Sequence, residues 1–275
     1  MHPWLRTLFA FVVLMVAQMI SGALLMPHLH ASPPSNFALF AASQAIAAAL
    51  LTFLADRLAC TGWHRILVLL AVAWGIQANN LVEAALFPLG LESGLLPRLF
   101  VITLLPALAV CFTLDRVSGP AAPAPTSWPL IRTGTGWVMF SAWSVLGYLV
   151  VYLAAGMLAW PYVRSFYEKG VMPSLPLVMF VQLFRGFFLV GLLILLTSRL
   201  SLPRTWAAVA GGVTLSMLGG VVPLMAPNAL MPDAVRLAHL MEVGTSNLIF
   251  GWLIVLALTR TSARIAPRSE MASLR

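Results

Sequence analysis

The sequence predicts an all-α fold, a polytopic transmembrane bundle of eight helices with both termini in the cytoplasm. The composition predicts a membrane protein, because 61% of the 275 residues are hydrophobic, only 9% are charged, and the mean hydropathy is +0.95. Soluble globular proteins have roughly 25% charged residues, and disordered chains are poor in apolar residues. The composition therefore excludes a water-soluble fold and a disordered chain.

Eight segments of the chain are long and apolar enough to cross a bilayer as helices. A helix needs about 20 mostly apolar residues to span the hydrocarbon core. The first segment has a longer apolar stretch than the roughly 7–15 residues of a cleaved signal peptide, so we expect it to remain as a helix. The predicted spans are Trp4–Met26, Phe37–Leu54, Ile66–Pro88, Leu95–Leu114, Trp137–Ala159, Leu175–Thr197, Trp206–Met225 and Val235–Leu258.

The basic residues predict the orientation. Of the 16 Lys and Arg residues, eleven fall on the side of the N-terminus, four fall on the other side, and Arg185 lies within a span. Because basic residues concentrate in cytoplasmic loops, we expect both termini in the cytoplasm of a cell membrane, such as a bacterial inner membrane. The net charge of +8 then reflects topology and contact with the lipid bilayer. Nucleic acid is not an expected partner.

A change in composition divides the predicted helices into two groups of four. The stretch Ser118–Pro129 is rich in proline and alanine, which favours an extended chain. Two halves with an even number of helices would share one orientation, as in a parallel repeat. The similarity is weak, since it consists of one Gln in each half and of Arg57–Leu58 matching Arg199–Leu200, and it leaves duplication open. The single domain 1–275 would then comprise halves 1–114 and 137–260, joined by the linker 115–136.

Polar side chains inside the spans are the most informative feature, because lipid cannot satisfy their hydrogen bonds. Once the direction of each helix is considered, nearly all of them fall in the non-cytoplasmic half of the bilayer. Helical spacing places them in stripes that we expect to face the bundle interior. The candidate binding residues are Glu83, Arg185, His239, Glu242, Asn80, Gln182 and Asn247. Gln18, Ser21 and Gln44 lie in the same half of the bilayer, and Ser141, Ser144, Tyr148 and Tyr152 form a narrow stripe on the fifth predicted helix.

A guanidinium inside a membrane needs an anionic partner, and Glu83 or Glu242 could pair with Arg185. The helical rise places Glu83 about 7–8 Å below the end of its helix and Arg185 about 13 Å deep. A cavity leading from the outer surface to the middle of the bilayer would connect these two depths. The alternative is an ion pair that only locks helices together, with Gln18 and Gln44 forming interhelical hydrogen bonds.

A divalent metal site is a further alternative, although no cofactor is predicted. His239 and Glu242 lie three residues apart on one helical face, a spacing that bundle metal sites also use. Glu83 would be the third ligand, and His28 or His30 in the first outer loop would be the fourth.

Three functions remain open from the sequence. In a small-solute or ion transporter, Arg185 would neutralise an anionic group while Glu or His carries a proton. In a membrane-embedded enzyme acting on a lipid or lipid-linked substrate, Glu83 or Glu242 would be a general base. The third alternative is a structural polar cluster without a ligand. We favour transport, because ionisable groups reach the midplane and nucleotide-binding or hydrolase motifs are absent.

Overall fold

A computed structural model of the chain describes residues 1–25, 34–85, 94–123, 133–168, 173–227 and 231–262. Regular structure in these ranges is helical, apart from one isolated antiparallel bridge. Eight of the helices are long and apolar enough to cross a membrane, which confirms the predicted fold class. The protein is therefore a multi-pass membrane protein. The middle of the predicted linker, residues 124–132, lies outside the described residues.

The helices have slightly different bounds from the predicted spans. The largest difference is in the fifth, which extends past Trp137–Ala159 at both ends. Its start is capped by Thr133, whose hydroxyl accepts a hydrogen bond from the Gly136 amide at 3.1 Å. The eight helices are α1 Pro3–Leu25, α2 Pro34–Arg57, α3 Trp63–Ala84, α4 Leu95–Val117, α5 Gly134–Tyr167, α6 Leu175–Thr197, α7 Arg204–Met225 and α8 Asp233–Ser262.

Helix α7 contains a π-helical turn, Met217–Val221, between regular α-helical segments. Two residues after this turn, Pro223 has no amide hydrogen to donate to the carbonyl of Gly219, four residues earlier. That carbonyl instead accepts a hydrogen bond from Asn80 Nδ2 of α3 at 2.6 Å. The irregular turn therefore fixes the part of α3 that carries the candidate site, and turns of this type often occur at functional sites.

Glycines allow α7 and α8 to pack very closely. A Cβ atom on Gly212 would lie 2.6 Å from the carbonyl oxygen of Leu248, and one on Gly220 would lie 2.8 Å from the amide nitrogen of Gly244. Both distances are shorter than van der Waals contact, and both involve backbone atoms that cannot rotate away. The small residues of α7 therefore form a packing surface against α8.

One end of the bundle holds Arg57, Arg65, Arg116, Arg199 and Arg204, and we call it the arginine-rich end. Contacts between helix termini define it. The Gly62 amide at the start of α3 donates to Asp115 near the end of α4 at 2.8 Å. Arg204 at the start of α7 donates to Thr259 in the last turns of α8 at 2.9 Å. The candidate site residues lie toward the opposite end.

The first four helices and the last four helices are joined at the arginine-rich end by a reciprocal pair of hydrogen bonds. The Ser201 amide donates to the Arg57 carbonyl, and the Ala59 amide donates to the Arg199 carbonyl, both at 2.7 Å. They flank an antiparallel bridge between Leu58 and Leu200. The helix contacts are reciprocal too. The third of the first four helices contacts the second of the last four (α3 with α6), and the third of the last four contacts the second of the first four (α7 with α2).

Candidate functional site

The site is centred on an ion pair between Glu83, at the end of α3, and Arg185, at the middle of α6. The sequence left Glu83 and Glu242 as candidate partners of Arg185, and in the structure the partner is Glu83. The Arg185 side chain is only 5% exposed and that of Glu83 is 22% exposed. Because water is largely excluded there, the two charges depend on each other and on nearby hydrogen bonds.

Two amide side chains complete the surroundings of the ion pair. Gln182 accepts a hydrogen bond from Arg185 Nη1 at 3.1 Å and donates one to Glu83 Oε1 at 2.6 Å, so it bridges both charges. Asn80 accepts from Arg185 Nη2 at 3.0 Å, while its own amide group donates to Gly219. Helices α3, α6 and the irregular turn of α7 are therefore joined through one hydrogen-bond network.

Helix α5 contributes two tyrosines to the same network. The Tyr152 hydroxyl donates to Glu83 Oε1 at 3.1 Å, and the Tyr148 hydroxyl donates to Gln182 Oε1 at 2.8 Å. Their spacing of four residues puts both rings on one face of the helix, where they stack. We call Asn80, Glu83, Tyr148, Tyr152, Gln182 and Arg185 the polar cluster.

A small cavity adjoins the polar cluster. Its volume is about 20 Å³, which suits one water-sized molecule. Glu83, Arg185 and Glu242 all line it, so two carboxylates and one guanidinium face a common space. Asn247 lines it as well and donates to the carbonyl of Leu215 at 3.3 Å. The remaining lining residues are Tyr148, Val151, Tyr152, Val243, Ser246 and Phe250.

His239 reaches this cavity through Glu242. Its Nδ1 atom lies 2.7 Å from Glu242 Oε2, and its Nε2 atom lies 2.8 Å from the hydroxyl of Tyr167. The His239 and Glu242 side chains are 18% and 11% exposed. The three residues thus form a continuous hydrogen-bond chain from the end of α5 to the cavity wall.

The candidate metal ligands His239, Glu242 and Glu83 do not form a metal-binding group in the structure. Among the described residues, no three His, Cys, Asp or Glu side chains are grouped as metal ligands would be. His28 and His30, which the sequence offers as a fourth ligand, lie outside the described residues.

Some polar groups that the sequence places at the same depth do not join the cluster. Gln44 donates to its neighbour Ser43 at 3.3 Å, and Ser21 donates within its own helix to the Ala17 carbonyl at 2.7 Å. Sequence reasoning also missed two participants, the Tyr167 hydroxyl and the Gly219 carbonyl. The sequence does indicate the Gly219 carbonyl, because Pro223, four residues later, has no amide hydrogen to donate to it.

The fold and the buried charges define an integral membrane protein that encloses a polar site within its helix bundle. Comparison of the chain with protein-family models, with curated proteins and with solved structures found no match. The functional argument therefore depends on the site itself.

Proposed function

We propose that the protein is a transporter of a small solute with an anionic group, which binds between its two four-helix halves. One observation carries the proposal: the buried ion pair joins Glu83 of the first half to Arg185 of the second, beside a cavity. Transporters built from repeats commonly bind substrate at the repeat interface near the bilayer midplane. Arg185 lies one residue from the middle of α6, which agrees with a binding site near the bilayer midplane.

The reciprocal contacts at the arginine-rich end support treating the halves as a parallel repeat. Arg57 and Ala59 in one half, and Arg199 and Ser201 in the other, exchange the same two hydrogen bonds. Halves related in this way can rock against each other and expose a site between them to alternate sides of the membrane. The π-helical turn of α7 is a local irregularity next to the site, and turns of this type often occur at functional sites.

Arg185 is the group that would hold the solute. Its Nε atom is buried and has no hydrogen-bond partner among the described residues. A buried donor without a partner is costly, and a guanidinium is well suited to carboxylates and other planar anions. A solute anion that enters the cavity would meet the positive charge of Arg185, which lines it.

Two alternatives from the sequence receive less support. A lipid-modifying enzyme would gain a general base from the Tyr167–His239–Glu242 chain, but Arg185, the group that would hold a headgroup, lies at the middle of its helix and not at the membrane surface. A structural cluster needs no cavity, whereas here a cavity is lined by two carboxylates and a guanidinium. We also retain the proposed orientation, with the arginine-rich end in the cytoplasm of a bacterial inner membrane.

Uptake into vesicles tests the proposal. The purified protein is reconstituted in liposomes and offered chloride, nitrate, lactate and succinate in separate assays. We expect protein-dependent uptake of at least one of them. Loss of the charge-assisted hydrogen bonds in Arg185→Gln should reduce that uptake roughly 10–100-fold. Arg98→Gln is the matched control, because Arg98 is exposed at the start of α4.

Two results would overturn the proposal. One is that none of the four anions enters faster than it enters protein-free liposomes. The other is that Arg185→Gln, recovered as a folded protein, takes up the anion as fast as the wild type.

A further inference from the structure

We infer that the solute is a monoanion that enters together with one proton, and that Tyr167, His239 and Glu242 conduct this proton to the polar cluster. This inference rests on the proposed transport function and names its substrate class and coupling ion. It follows from the charge of the site and from the hydrogen-bond chain that leads to it.

The charge of the site limits what can bind. With Glu83 ionised, the Glu83–Arg185 pair is neutral, and both groups are largely buried. The other carboxylate at the cavity, Glu242, is hydrogen-bonded to His239, and its charge is the same before and after a proton passes through it. An anion that bound beside the ion pair would add one uncompensated negative charge in a medium of low polarity, which is strongly unfavourable. A proton on Glu83 removes that charge. Arg185 would then pair with the bound monoanion, and the net charge of the site would not change.

The structure offers a path for the proton. A proton arriving at His239 Nε2 from the side of the Tyr167 hydroxyl forms an N–H bond there, while the Nδ1–H bond breaks toward Glu242 Oε2. Glu242 and Glu83 line the same water-sized cavity, so one water molecule could pass the proton from one carboxyl to the other. No oxidant or further reactant is needed, because only a proton moves.

Charged and titratable groups near the relay come from three other helices. Helix α5 contributes Tyr152 and Tyr167, α6 contributes Arg185, and α3 contributes Glu83 across the cavity. Helix α7 contributes none, because its only ionisable side chain is Arg204, at the arginine-rich end. On α8 itself, Arg236 pairs with Asp233. Histidine suits the relay because one ring nitrogen can accept a proton while the other donates one.

The experiment measures protons and anions in the same vesicles. Liposomes with the wild-type protein contain a fluorescent pH indicator, and the membrane potential is clamped with potassium and valinomycin. External nitrate, chloride or lactate is added, whichever the uptake assay shows to be carried. We expect about one proton to enter per anion, as charge neutrality of the site requires, whether sodium or choline is the external cation.

Variants test the relay separately. His239→Gln and Glu242→Gln should each lower the initial rate of anion-driven acidification at least about tenfold, since each interrupts the hydrogen-bond chain. His64→Gln is the matched control, because His64 is exposed at the arginine-rich end. Equal acidification rates in wild type and in both relay variants would overturn the proposed path.

The outcomes distinguish this inference from the proposed function. If the anion enters by a route that depends on Arg185 but without protons, or only with sodium, the inference fails and the transport function stands. Uptake of succinate alone, among the four probes, would overturn the assignment to monoanions. If no anion is carried at all, the transport function itself fails.

Discussion

Arg65 and Arg185 are both buried arginines, but different kinds of partner hold them. Arg65, 1% exposed at the arginine-rich end, donates to the backbone carbonyls of Cys60 and Gly119, both at 3.0 Å. Arg185 donates to side chains only, those of Glu83, Gln182 and Asn80. Carbonyl groups cannot take up a proton or swing away, whereas a carboxylate can do both.

The contrast separates an arginine held by backbone carbonyls from the arginine that we propose binds the solute. Arg65 ties the loop before α3 to the residues after α4, and Asp115 at 3.8 Å only supplements those bonds. Arg236 is similar, because it donates to the carbonyls at the end of α7 at 2.6 and 2.8 Å. Only Arg185, among these three, adjoins a cavity and retains a donor atom without a partner among the described residues.

The largest effect is expected from Arg185→Gln. Removing one partner of a buried ion pair leaves the other charge uncompensated, which costs about 3–5 kcal/mol in free energy of unfolding. Adding Glu83→Gln in the same chain removes that orphaned charge and should restore at least half of the loss. Thermal unfolding in detergent measures both variants. A double variant as unstable as Arg185→Gln alone would show that the two charges do not depend on each other.

Arg65→Gln should also destabilise the protein, by about 2–3 kcal/mol, because hydrogen bonds from a charged donor to two carbonyls are lost. A second substitution cannot restore this stability, because the acceptors that lose their donor are backbone carbonyls. Asp115→Asn in the same chain should therefore give no recovery. Anion uptake per folded protein should remain at the wild-type level. Recovery by Asp115→Asn, or a selective loss of uptake, would place Arg65 in the same class as Arg185.

The comparison also shows what the sequence can predict. Eight spans follow from apolar length alone, since few other structures can bury such segments. The convergence of Glu83 with Arg185 follows from helix direction and from the high cost of a lone charge in lipid. The partners of Arg65 could not be predicted in this way, because backbone carbonyls in loops leave no pattern in the side chains. Tyr167 was missed for a related reason, because helix α5 extends beyond its apolar segment.

Helices α7 and α8, which both contribute residues to the site, pack closely against each other. Gly212→Ala tests this packing. The added methyl group would lie 2.6 Å from the Leu248 carbonyl, so a backbone must shift. Overpacking of this kind costs about 1–3 kcal/mol. Gly191→Ala is the control, because nothing lies within 4 Å of its added methyl group. Equal unfolding temperatures for the two variants would contradict the close packing.

The smallest effect is expected from Tyr152→Phe, which removes one hydrogen bond to Glu83 and leaves the ring in place. The loss of stability should be about 1 kcal/mol. The functional effect should be more specific: without the Tyr152 hydroxyl, Glu83 is held less firmly beside the cavity, so the rate of anion uptake per folded protein should fall. Tyr162→Phe is the matched control, because Tyr162 is 73% exposed on the same helix and should leave that rate unchanged. A cluster with only a structural role would show the small loss of stability but no change in uptake. The two measurements together therefore distinguish a carboxylate that only holds Arg185 from one that takes part in transport.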